Sequence, residues 1–135
     1  MKPRFATLAV LALLTAAPAF ALEPLNTEKR FIDSLVAGRV ADVIRNTCPS
    51  ISAKMFTVLQ ELNALEDYLR DKGYSEAEVK AFRKNKDEKA RIKGLANDYL
   101  TAAGAVEGDA ESYCKVGRDE IAKESLAGSM LRSWK

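Results

Sequence analysis

Asn46-Thr47-Cys48-Pro49-Ser50 is the stretch on which the fold turns, because Cys48 has a single potential partner, Cys114, and no third cysteine competes. Pro49 stops a helix that ends near Cys48. Cys114 lies near the start of the last long helical stretch. A bond between them ties the front and the back of the domain around everything in between. The two positions are 66 apart, and closing a loop of that size is worth about 4 kcal/mol in chain entropy. That is a large share of the ~5–15 kcal/mol that holds a typical domain folded. Other uses of the pair lack their chemistry. Zinc needs four ligands, and the chain has no histidine and no second cysteine pair. There is no C-x-x-C, and a catalytic thiol would have no imidazole to activate it. The reading is a structural disulfide, formed outside the reducing cytoplasm.

The N-terminus supplies an address consistent with that chemistry. Lys2 and Arg4 precede an apolar run over residues 5–17 (FATLAVLALLTAA), then Pro18 and the small–x–small pattern Ala19-Phe20-Ala21. These predict a signal peptide over residues 1–21, cleaved after Ala21, and a mature single domain over residues 22–135. The apolar run falls short of the ~20 residues that span a bilayer. No cysteine follows the cleavage site to carry a lipid, and no later stretch is apolar enough to cross a membrane. The expectation is a soluble protein of the bacterial periplasm, with no integral span in the mature chain. The formal charge of +2 resides in Lys2 and Arg4, and their removal leaves 19 basic residues against 19 acidic ones. A neutral chain has no overall pull toward nucleic acid.

Helical periodicity runs through the mature sequence. Asn26 or Thr27 is placed to cap a first helix bearing Phe31/Ile32, Leu35/Val36, Val40 and Val43/Ile44. Ser50 or Ser52 is placed to cap a second, whose apolar face reads Met55/Phe56, Leu59, Leu62, Leu65 and Tyr68/Leu69 and which Gly73 ends. Ser75-Glu76-Ala77-Glu78 is a capping box, with Tyr74 and Val79 as its staple. Asp87 is placed to cap a fourth helix closed by Gly104, and Asp109 a fifth that carries Cys114. Residues 125–135 keep a looser helical spacing that Gly128 weakens. No segment alternates with period two, so no strand is expected. The fold class is all-α, one small bundle of four to five helices tied by one disulfide.

The candidate sites are few. Without histidine the commonest general base and metal ligand are missing, and no catalytic, cofactor or metal constellation is recognisable. Glu61, Glu66 and Asp67, with Asp119 and Glu120, are the carboxylates that a small hydrolase of cell-wall glycan would use. Phe56, Leu59 and Tyr99 would line a cavity for a small apolar ligand. Arg83, Lys84, Lys86, Lys89, Arg91 and Lys93 make the marked basic cluster, which reads as a solvated helix face. In the tail, small residues interleave with Leu126, Met130, Leu131 and Trp134. That lets another backbone approach closely and makes these four a candidate interaction surface; the favoured alternative is that the tail packs back on its own bundle.

Several segments resemble a family of small exported proteins of alphaproteobacteria known only as a domain of unknown function. They are Leu22-Glu23-Pro24-Leu25, Val40-Ala41-Asp42-Val43-Ile44-Arg45 leading into Thr47-Cys48-Pro49-Ser50-Ile51-Ser52, and Lys72-Gly73-Tyr74-Ser75-Glu76-Ala77-Glu78. Gly108-Asp109-Ala110-Glu111-Ser112-Tyr113-Cys114 and Gly128-Ser129-Met130-Leu131-Arg132 complete the set. The resemblance implies no catalytic residue and no ligand. It implies genes near those of the respiratory NADH–quinone oxidoreductase, hence an accessory role on the periplasmic side of its membrane arm. The expectation is a non-enzymatic exported helical protein with a protein partner and no cofactor.

Overall fold

Helix α1 (Lys29–Thr47) is the axis on which the other elements pack. The structure, a computed structural model, describes residues 21–134; the leader expected over residues 1–21 lies outside them apart from Ala21. Glu28 rather than Asn26 or Thr27 caps α1, its carboxylate accepting the Phe31 N–H at 2.6 Å. Asn26 and Thr27 are spent in a 3-10 turn, Leu25–Thr27, where the Thr27 hydroxyl donates back to the Pro24 carbonyl. The helix stops at Cys48, as Pro49 dictates.

After α1 the chain makes a short strand, β1 (Ile51–Ala53), which pairs antiparallel with β2 (Leu131–Ser133) near the C-terminus. Ile51 faces Ser133 and Ala53 faces Leu131. This corrects the expectation of no strand. Three residues are too few to display alternation, and each strand finds its partner at the far end of the chain. Ser50 and Ser52 accordingly cap nothing, and α2 (Met55–Lys72) starts after Lys54 with no side-chain cap. It ends at Gly73, whose φ of 106° is left-handed and whose N–H returns to the Leu69 and Arg70 carbonyls.

The capping box at Ser75 and Glu78 starts α3 (Glu76–Lys84). Asn85 then caps α4 (Lys86–Ala102), its side chain accepting from the Asp87 and Glu88 N–H groups; Asp87 is already inside the helix. Asp109 caps α5 (Ala110–Ala122), as its spacing predicted. A one-turn helix, α6 (Leu126–Ser129), is capped by Ser125. The all-α reading therefore stands, with six helices among the described residues and one two-stranded ribbon.

Two apolar clusters lie along α1. Near its start Phe31 and Ile32 join Leu65, Leu69 and Tyr74. In its later half Val40, Ala41 and Ile44 join Ala96, Leu100, Val116, Met130 and Leu131. The Cys48–Cys114 disulfide lies in the second cluster, both residues buried, with Cα atoms 5.0 Å apart. It joins the end of α1 to α5, while β1 and β2 join the same two ends of the chain by backbone hydrogen bonds. Gly128 allows α6 to sit on α5: a Cβ there would lie 2.0 Å from the Glu120 carbonyl oxygen. The close backbone approach predicted for the tail occurs, and the backbone approached is the chain's own.

Candidate functional site

An apolar stripe running the length of α2 would ordinarily face inward throughout. Its C-terminal half does, with Leu65 and Leu69 buried against Phe31 and Ile32. Its N-terminal half does not: Met55 is 58%, Phe56 75%, Leu59 54% and Leu62 40% exposed. The physical reason is length. Eighteen residues make a rod of about 27 Å, and α3, which folds back from Gly73, reaches only its C-terminal end. The N-terminal half is held by the partly buried Val58 and by the Lys54 N–H, which donates to the Met130 carbonyl at 2.8 Å. Four large side chains exposed to this degree make on the order of 400 Å² of apolar surface, the size of patch that tends to be functional.

Beside this stripe runs a groove of about 240 Å³ between α1 and α2, lined by Leu35, Gly38, Val58, Leu62, Leu126 and Met130, with Glu61 at its edge. The space beside Gly38 is open, since a Cβ at that position would meet nothing within 4 Å. Of the four tail residues, Leu126 and Met130 border the groove and Trp134 is 65% exposed. Met130 and Leu131 are buried, because Gly128 seats α6 on α5 and β2 pairs with β1, turning both side chains into the core.

The acidic residues are dispersed among separate partners. Glu66 faces Arg83 at 3.7 Å, Asp67 faces Arg70 at 2.9 Å and Asp119 faces Lys115 at 2.6 Å, while Glu61 stands at the groove edge. Glu120 is fully buried, accepting from Tyr99 at 2.8 Å, from Lys123 at 2.6 Å and from the Ser125 hydroxyl. Burial pushes its carboxyl up, but the bonds from Lys123, Ser125 and Tyr99 outweigh it and hold the group below the usual carboxylate range. Tyr99 in turn is raised, by its own burial and by Glu120. This cluster ties α4, α5 and the start of α6 together. Phe56 and Leu59 stand on the outer face of α2, while Tyr99 lines a different cleft with Ile32, Val36 and Leu95, so the structure does not assemble these three around one ligand.

Glu28 forms a second buried hub, which the sequence pattern did not mark. Besides capping α1 it accepts from Tyr68 at 2.6 Å and Lys72 at 2.9 Å, fastening α2 to the start of α1. Burial raises its carboxyl, and the bonds from Tyr68, Lys72 and Phe31 more than reverse the effect. Among the described residues, no group of three acidic or cysteine side chains is placed to hold a metal ion, and no helix is long and apolar enough to cross a membrane.

The family model of a family of unknown function matches residues 23–132. The chain belongs to DUF5333. The matched span of DUF5333 takes in both cysteines, both strands up to Arg132 and the whole exposed face of α2; Trp134 lies just beyond it. No curated protein and no solved structure matches the chain.

Proposed function

We propose that this protein is an exported, non-enzymatic accessory factor that binds an apolar helical segment of a partner protein along the outer face of α2. The observation that carries the reading is the row Met55, Phe56, Leu59 and Leu62, exposed on the same helix whose later apolar residues, Leu65 and Leu69, are buried. Its spacing of three to four residues matches a facing helix, and the open groove at Gly38 offers a seat for anchoring side chains. The patch alone is smaller than the ~800 Å² per partner of a standard interface. The groove with Leu126, and the polar rim of Gln60, Glu61 and Asn63, supply further area for such a contact.

Export is supported by the leader pattern of residues 1–21 and by a buried disulfide that suits an oxidising compartment. A membrane respiratory complex, approached from the periplasmic side, is the partner that the sequence resemblance favours. The test is affinity purification of the tagged protein from gently solubilised membranes of its native host. The wild-type protein is expected in a larger assembly. The double variant Phe56→Glu/Leu59→Glu is expected free, with unchanged circular dichroism. Recovery of the wild type only as a free monomer would overturn the reading.

A further inference from the structure

A second groove, sharing only Leu35 with the one beside α2, lies where α1, α3 and α4 meet. It measures about 390 Å³ and is floored by the half-buried Leu35, Phe82 and Ile92. Phe82 is fixed there by an edge contact with Phe31, ring centroids 4.9 Å apart. Around the floor stand four cations, Arg39, Arg83, Lys89 and Lys93, against one acid, Glu88. Glu88 is taken by Arg91 at 3.1 Å and Arg83 faces Glu66 at 3.7 Å. Lys89 and Lys93, one helical turn apart on α4, have no ion-pair partner among the described residues.

Arg39 carries a further sign. Its Nε is shut off from solvent and has no hydrogen-bond partner, and its Nη1 has only a long 3.3 Å bond to Asp42. A buried donor left unpaired is costly, and a guanidinium so loosely held gains by turning to an anion beside it. The floor needs an apolar chain, and the rim needs one negative head.

We propose that this three-helix groove binds a free medium-chain carboxylate, its alkyl chain on Leu35, Phe82 and Ile92 and its head between Arg39, Lys89 and Lys93. The volume, about 390 Å³, falls at the lower end of the range for small-molecule sites. The recessed floor argues for a free molecule. Half-buried side chains beneath a charged rim cannot reach into a bilayer, whereas a detached chain can enter between them. The basic cluster of the sequence thus divides, with Lys89 and Lys93 at a groove and Lys84 and Lys86 on the solvated surface.

The test uses the disulfide-bonded chain of residues 22–135, titrated with decanoate below its micelle concentration, following the Ile92 methyl signals by NMR. Saturable shifts at Ile92 are expected. Decanol, with the same chain and no charge, is expected to bind about tenfold more weakly, as is decanoate to Lys89→Glu/Lys93→Glu. Both lysines are on the surface, so a thermal melt within a few degrees of wild type confirms that this variant is folded. Absence of shifts at Ile92, equal binding of decanol, or undiminished binding by the folded double variant would each overturn the proposal. So would binding to anionic phospholipid vesicles without binding to free decanoate.

Discussion

Replacing Gly128 by alanine tests how the tail is seated. The new Cβ would lie 2.0 Å from the Glu120 carbonyl oxygen, 2.3 Å from its carbon and 2.7 Å from the Ile121 nitrogen. All three are backbone atoms of α5, so no side chain can rotate away. Ordinary contact begins near 3.4 Å, and α6 would have to rise by about 1.4 Å. Overpacking of this kind costs about 1–3 kcal/mol when the backbone yields locally. If the tail lets go instead, Met130 and Leu131 leave the core, at about 1.5–3 kcal/mol each. The cheaper course sets the loss, so about 1–3 kcal/mol is expected, rising to about 3 kcal/mol or more only if the tail detaches. Urea denaturation followed by circular dichroism measures it, with Trp134, the only tryptophan, as a local reporter of the tail. A change under ~0.5 kcal/mol, the range of an ordinary surface substitution, would refute the claim that α6 is packed on α5 through a glycine contact.

The opposite result is expected at Gly38, where a Cβ meets nothing: Gly38→Ala should stabilise α1 by about 0.5–1 kcal/mol in the same assay. Reducing the Cys48–Cys114 bond should lower stability by about 4 kcal/mol, read as a drop in the urea midpoint with reductant present. Glu28 and Glu120 both have carboxyls lowered by folding. Their contribution is complete above the unfolded glutamate value of about 4.3 and is lost as the pH falls through the lower folded values. Stability should therefore be flat from neutral pH to about 5 and decline below it. Glu28→Gln should be less stable at pH 7 and should show a shallower acid decline. Phe56→Glu should leave the urea midpoint within the range of a surface substitution, since Phe56 is 75% exposed.

Much of this fold was legible because its signals are local. The capping box at Ser75, the left-handed stops at Gly73 and Gly104, the cap at Asp109 and the unique cysteine pair each fix their own neighbourhood. What escaped depends on distant partners. The β1–β2 ribbon needs both ends of the chain to meet, and its strands are too short to carry a period of their own. Glu28 was not foreseen as a cap because its role depends on Tyr68 and Lys72 arriving from α2. Gly128 read as a helix weakener, yet it serves the packing of α6 on Glu120. The candidate surface was hidden for a related reason. The period of Met55, Phe56, Leu59 and Leu62 is visible in the sequence, but whether another element covers it is not. The one available hint was an apolar face running the full length of an 18-residue helix, followed by a helix of only nine to pack against it.

The most direct test of the outer face of α2 as a binding surface is a photo-crosslinking amino acid placed at position 56 in the native host. Glu111, exposed on α5, provides the control position. Illumination should yield one adduct of defined mass from position 56 and none from position 111. Equal and diffuse crosslinking from the two positions, with the protein folded and exported, would contradict the account.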